Sequence, residues 1–181
     1  MVILFVATTI DGYIARPDGN IDWLNAIPEP DSGDYGYAEL LAGIGSVVMG
    51  RKTYEEVLGF GVEWPYSDYK TMIVTRNREF AVSTPSTYVL QTGIAEGMAE
   101  LERETGKDIW LVGGGELVAE FLRLDLVDKM VISVVPLVLG EGIPLFPGRS
   151  KESAWTLVEA KAFNTGLVNL VYLRKDGARN S

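Results

Sequence analysis

The stretch Asp108–Val118 does most to limit what this chain can become. An apolar run, Ile109-Trp110-Leu111-Val112, passes through Gly113-Gly114-Gly115 straight into a segment where Leu117, Val118, Phe121 and Leu122 form one apolar helical face. A buried strand that turns this tightly into an amphipathic helix is the building unit of an α/β sheet. Glycine lets the backbone approach a ligand closely, and the free amides and dipole of the helix start favour a phosphate there. Three consecutive glycines exceed what a turn needs, so Gly113, Gly114, Gly115, Glu116, Leu117 and Val118 are read as a phosphate grip.

The rest of the chain repeats the alternation. Apolar, β-branched runs at 2–9, 46–50, 70–75, 86–90, 108–112, 128–137, 154–163 and 167–174 are bounded by Gly, Pro, Asn or Asp and predict eight strands. Helical spacing appears at Tyr37, Leu40, Leu41 and Ile44, and at Ile94, Met98 and Leu101, with a further short helix expected from about Thr53. Strands alternating with helices, then a strand-rich end, predict a mainly parallel sheet with helices on both faces. Asn164-Thr165-Gly166 between the last two strands predicts an antiparallel hairpin. One domain over 1–175 is expected, with a frayed tail at 176–181. The loops at 10–33 and 59–69 are long enough to cover a site.

Composition removes whole classes of chemistry. With no Cys and no His, the chain cannot build a disulfide, a Cys/His zinc site or a Ser-His-Asp triad. The acidic residues show no metal-loop spacing, and redox work needs an organic cofactor. A net charge of −9 repels nucleic acid and anionic membrane surfaces. No apolar run approaches the ~20 residues of a membrane span and no cleavable leader is evident, so a cytoplasmic protein is expected.

The glycine turn does not follow the Rossmann pattern. Val118 stands where the third glycine of that fingerprint belongs, and no acid ends the following strand near Ser133. Two further strand ends carry anion-binding groups instead. Gly50, Arg51, Lys52 and Thr53 offer close approach, charge and a hydroxyl that can also cap a helix. Thr75 and Arg76 offer a hydroxyl and a guanidinium suited to an adenosine 2′-phosphate. Ligands of open α/β sheets sit at the carboxyl ends of strands, and three such ends together fit a dinucleotide.

Four motifs in order carry a resemblance. They are Thr9-Ile10-Asp11-Gly12-Tyr13-Ile14-Ala15 with Asp22-Trp23-Leu24, then Met49-Gly50-Arg51-Lys52-Thr53, then Val112-Gly113-Gly114-Gly115, then Leu139-Gly140-Glu141-Gly142-Ile143-Pro144-Leu145-Phe146. Over nearly its whole length the chain resembles the dihydrofolate-reductase-like superfamily, in particular the reductase domain of riboflavin-biosynthesis deaminase-reductases and their stand-alone relatives. The resemblance implies a three-layer fold on an eight-stranded sheet. It implies NADPH with its phosphates on the 113–118 and 50–53 turns, its 2′-phosphate near Arg51, Lys52, Thr75 and Arg76, and its nicotinamide near Ala7. It also implies a 10–33 flap, a homodimer through the 128–139 run, which reads equally well as a buried central strand, and a small heterocyclic substrate such as 5-amino-6-(5-phosphoribosylamino)uracil. Dihydrofolate reductase, or an NADPH-binding sensor without turnover, are the alternatives.

A carboxylate near the reacting carbon could be either of two. Counting back from Met49 by the dihydrofolate reductase spacing lands on Asp34, which, with Asp31 or Ser32, could equally cap a helix beginning near Tyr35. Asp11 lies in the motif shared with the riboflavin enzymes and could equally be an Asp-Gly turn. The deaminase half of the bifunctional enzymes is excluded, since its zinc ligands are His and Cys. Where the reductase domains carry Asp-Asp-Pro-x-Leu, this chain has Leu58 to Tyr66, leaving the substrate open. Trp23, Trp64 and Tyr66 could stack on a flat heterocycle.

Overall fold

The structure is a computed structural model describing residues 1–31, 33–148 and 151–175. In chain order it comprises β1 (Val2–Thr9), β2 (Tyr13–Ala15), a 3-10 turn (Asp22–Ala26), α1 (Tyr37–Gly43), β3 (Ile44–Gly50), α2 (Arg51–Gly59), β4 (Lys70–Val74) and β5 (Thr87–Val89). There follow α3 (Ile94–Thr105), β6 (Asp108–Gly113), α4 (Gly115–Arg123), β7 (Lys129–Val135), β8 (Ile143–Pro144), β9 (Trp155–Ala162) and β10 (Val168–Arg174).

Eight strands form one sheet in the order β5-β4-β3-β6-β1-β7-β10-β9, while β2 pairs with β8 in a separate ribbon. The first six strands of that order are parallel, and β10 runs antiparallel to both β7 and β9. The fold class is therefore α/β, dihydrofolate-reductase-like, with the expected C-terminal hairpin.

Strand periodicity builds the three layers. Leu4, Val48, Met72 and Leu111 point to one side, where α3 and α4 bring Met98, Leu101, Val118 and Phe121. Their neighbours Ile3, Val47, Met49, Ile73 and Trp110 point to the other, against Leu40 of α1 and Tyr54 and Val57 of α2. Each such side chain, fully buried, contributes about 1.5–3 kcal/mol.

Several expectations are corrected. The helix expected from Tyr35 begins at Tyr37, because Tyr35 and Gly36 have φ of 61° and 90°, outside the helical region. Thr53 caps nothing: α2 starts at Arg51 with Gly50 at its N-cap, which puts Thr53 inside the first turn. The 128–139 run holds a central strand and leaves Val138 exposed. Its strand β7 is hydrogen-bonded to β1 on one edge and β10 on the other, and Met130, Val131 and Val135 are buried. The tail at 176–181 and the capping candidate Ser32 lie outside the described residues.

No helix among the described residues is long and apolar enough to cross a membrane.

Candidate active site

Two features near the carboxyl ends of the parallel strands make up the candidate site: a pair of helix starts on adjacent strands and a cavity lined by β1 and β7. The helix starts lie where β3 and β6 end. Register pairs Met49 with Gly113, so Gly50 and Gly114, the N-caps of α2 and α4, lead two helix starts away from adjacent strands. Neither cap carries a side chain that could satisfy the first-turn amides.

The glycines have different reasons to be glycine. Gly113 has φ 122°, which side-chain-bearing residues rarely adopt, and its peptide to Gly114 is cis. Gly115 has no room for more, since a Cβ there would lie 2.4 Å from the Pro144 carbonyl oxygen. Gly50 and Gly114 have ordinary φ of −76°. A Cβ on Gly50 would come no closer than 3.9 Å to the Gly113 oxygen, and one on Gly114 no closer than 3.7 Å to Thr53 Oγ1. The chain's own packing does not require glycine at these two positions. A methyl group at either position would make an ordinary van der Waals contact, at Gly114 with Thr53.

Within the glycine turn, the Leu117 and Val118 amides donate to the Gly114 carbonyl at 2.9 and 3.0 Å, and their side chains are core. The amides left without a helical acceptor are those of Gly115 and Glu116. Arg51 and Lys52 are exposed at the start of α2, Arg51 leaning over the Phe80 ring at 5.9 Å. Thr75 and the exposed Arg76 follow β4, and the Thr75 hydroxyl accepts from the Asn77 amide at 3.2 Å. Glu120 on α4 is held below the usual carboxylate range mainly by Arg123, with a smaller part from Arg76. Arg76 thus lies within electrostatic reach of α4.

The cavity, of about 360 Å³, opens beside Ala7. On the neighbouring strand β6, the register pairs Leu4 with Leu111, two residues before Gly113. Phe5 and Ala7 of β1 and Ser133 of β7 form its floor. Leu24, Ile27 and Pro28 of the 10–33 loop wall one side, with Glu29 and Asp34 as its carboxylates. The same loop reaches α2, since a Cβ on Gly19 would lie 3.7 Å from a Glu56 carboxylate oxygen. Burial, then the nearby Asp18, raises the Glu56 pKa.

Of the two acidic candidates, only Asp34 lines this cavity. It also does the alternative work foreseen for it: its carboxylate accepts from the Gly36 amide at 3.2 Å and the Ala38 amide at 2.6 Å. Asp11 is placed elsewhere. Its carboxylate accepts from the Thr9 hydroxyl at 2.6 Å, the Gly140 amide at 2.7 Å and the Leu139 amide at 3.2 Å, clasping two turns together. The Thr9 hydroxyl, then the Gly140 and Leu139 amides, hold its pKa below the usual range. A depressed carboxylate supports the clasp above its unfolded pKa and loses that support as pH falls through the folded value. Asp11→Asn is expected to loosen the clasp, read as faster amide exchange at Leu139 and Gly140 near neutral pH.

The aromatic candidates are core, which corrects the stacking expectation. Trp64 and Tyr66 are 8% and 7% exposed, and edge-to-face contacts run from Tyr54 through Trp64 and Tyr66 to Trp110. Trp23 is also buried, packed with Val135 and Leu167 behind the cavity wall that Leu24 and Ile27 form.

Sequence reasoning missed the polar side of the cavity. Ser133 donates to Asn169 Oδ1 at 2.7 Å, and Asn169 Nδ2 donates to the Tyr35 carbonyl at 2.7 Å. The Tyr35 hydroxyl in turn donates to the Pro28 carbonyl at 2.6 Å and meets the Thr165 hydroxyl at 2.9 Å. The signal was there: Ser133 and Asn169 are lone polar residues in apolar runs.

The chain is similar to known proteins over nearly its whole length. The chain is 36% identical over 172 residues to the uncharacterized protein YwjB of Bacillus subtilis, covering 95% of this chain and 97% of that one. A crystal structure from Shewanella sp. PV-4, provisionally described as a riboflavin biosynthesis protein, is 30% identical with a TM-score of 0.85, covering 97% of this chain and 99% of that one. Dihydrofolate reductase from Enterococcus faecalis, solved in complex with NADP(H) and RAB-propyl, shares the fold at 19% identity, TM-score 0.68 and 97% coverage of both chains. Residues 1–169 match the family model of the RibD C-terminal domain, and the chain belongs to that family.

Proposed function

We propose that this protein is an NADPH-dependent reductase that delivers hydride to a riboflavin-pathway pyrimidine or a closely related heterocycle. One observation carries the reading: a cavity with two carboxylates is lined by Ala7 of β1, in the same sheet whose strands β3 and β6 lead through Gly50 and Gly114 into two helix starts without side-chain caps. The residues fit a dinucleotide. The Gly115 and Glu116 amides and the start of α2 at Arg51, Lys52 and Thr53 would hold the pyrophosphate, and Thr75 and Arg76 the 2′-phosphate. Bound there, NADPH supplies hydride from its nicotinamide ring.

The chain's own residues do the remaining work. The 10–33 loop, which walls one side of the cavity, would limit water around the reacting atoms, favouring hydride transfer over side reactions. Asp34, which lines the cavity, would assist protonation of the substrate. Ala7, small and at the cavity floor, leaves room for a ring to lie against β1. A homodimer belongs to the same family reading.

The test combines turnover and affinity. NADPH absorbance is expected to fall on mixing with the deaminated riboflavin-pathway pyrimidine and to stay level with dihydrofolate. Stabilisation by NADPH without oxidation of either would favour a sensor, and oxidation with dihydrofolate alone would favour a dihydrofolate reductase. Arg76→Ala is expected to weaken NADPH roughly 10- to 100-fold while leaving NADH nearly unchanged, because only NADPH carries the 2′-phosphate. Equal losses for both nucleotides would remove Arg76 from that role.

A further inference from the structure

The polar row on the cavity floor has a direction fixed by chemistry. Register aligns Ala7 of β1 with Ser133 of β7, and Ser133 with Asn169 of β10, so the three side chains share one face of adjacent strands. Ser133 and Asn169 are 4% and 7% exposed. The row ends on the Tyr35 carbonyl, which can only accept. Asn169 must therefore turn its Nδ2 toward Tyr35, at 2.7 Å. That leaves Oδ1 facing Ser133, at 2.7 Å, and an amide oxygen can only accept. The Ser133 hydroxyl must spend its single proton on Asn169.

We infer that Ser133 meets the ligand solely as a hydrogen-bond acceptor, and so selects heterocycles that present an N–H or O–H donor to the cavity floor. This rests on the cavity being the substrate site. Ser133 lines that cavity, and with its proton committed, only oxygen lone pairs remain for a ligand. A ligand placing a carbonyl there would set oxygen against oxygen in a buried site, where an unmatched acceptor is costly. A ring N–H or exocyclic amine gains a bond at the same point. Tyr35 keeps the row in place, since its own hydroxyl is tied to the Pro28 carbonyl and Thr165. Asn169 is a positioning residue: it orients Ser133 without lining the cavity.

Two probes separate the possibilities: diaminouracil, rich in N–H donors, and N,N′-dimethyluracil, which offers carbonyl acceptors and no N–H. Calorimetric titration of the full chain is expected to favour diaminouracil, and Ser133→Ala is expected to lower that affinity roughly threefold to tenfold while dimethyluracil, freed of the oxygen-to-oxygen contact, binds no more weakly. Asn169→Ala frees the hydroxyl to rotate and donate, so the ratio between the probes is expected to shrink through tighter dimethyluracil binding. A purely structural role would move both affinities together. Should Ser133→Ala fail to fold, Ser133→Cys, near in size and a weak acceptor, carries the same expectation. Amide NMR separates the two levels of failure. Shifts at Ala7 and Gly33 on binding, with a wild-type ratio in Ser133→Ala or Ser133→Cys, would overturn the acceptor role alone. Binding that leaves those amides unmoved, or no binding of either probe, would remove the cavity as the site and the inference with it.

Discussion

The Trp64→Ala variant is expected to lose about 3–5 kcal/mol of stability, the usual cost of deleting a buried aromatic, and to melt on the order of 10 °C lower. Trp64 is 8% exposed. Its ring meets Tyr54 at 5.3 Å and Tyr66 at 5.1 Å in edge-to-face geometry. Tyr66 passes the contact to Trp110, whose indole N–H donates to the Phe5 carbonyl at 3.2 Å. Removing Trp64 opens a void in the middle of a chain of rings that joins α2 to the sheet. One effect works the other way: Trp64 Nε1 is buried without a partner, so its loss relieves a small penalty, and Trp64→Phe should cost far less than Trp64→Ala. Thermal unfolding followed by fluorescence reads the stability. Probe binding well below the melting transition reads the site, and it should stay near wild type. A stable Trp64→Ala protein that no longer binds diaminouracil would restore Trp64 as a stacking residue.

The loop at 59–69 shows why part of this molecule could not be read from the chain. A loop rich in aromatics looks the same whether it covers a ligand or plugs a core. The difference lies in Trp110, a partner more than forty residues away, whose ring is the receiving surface. Strands were legible because β-branched runs ended at Gly, Pro, Asn or Asp, and burial on both faces of a parallel sheet leaves no polar alternation to confuse the pattern. The β2–β8 ribbon was not, since Tyr13–Ala15 and Ile143–Pro144 are too short to carry a period.

The site divides in the same way. Gly50, Gly113 and Gly115 stood out because each is a glycine at a strand-to-helix junction, a signal local to the turn; the reasons differ, a positive φ at Gly113, a close approach of the distant Pro144 carbonyl at Gly115, and neither of these at Gly50. Asp11 and Asp34 could not be separated by spacing. Long-range partners separate them: Asp11 is bound to the amides of Leu139 and Gly140, while Asp34 lies on the cavity. Ser133 and Asn169 each looked like one polar residue in a strand, and only the register that sets them side by side makes them a pair.

Gly50→Ala and Gly115→Ala are expected to fail in opposite ways, and the contrast tests whether the pair of helix starts is a ligand site. At Gly115 a methyl group would lie 2.4 Å from the Pro144 carbonyl oxygen, a backbone atom fixed by the β2–β8 ribbon. The start of α4 must move away, at a cost of about 1–3 kcal/mol as overpacking, and the Gly115 and Glu116 amides move with it. Stability and NADPH affinity should fall together. At Gly50 the methyl group meets nothing nearer than 3.9 Å, and φ −76° with ψ 159° suits alanine. The fold loses only the preference for glycine over alanine at an N-cap, about 1 kcal/mol. The methyl group nevertheless enters the space between the two helix starts, and NADPH affinity should drop at least roughly tenfold, the equivalent of about 1.4 kcal/mol. Chemical denaturation and nucleotide titration of both variants read the two quantities separately. A Gly50→Ala protein that binds NADPH as wild type does would mean that the open space between α2 and α4 is not where the phosphates lie.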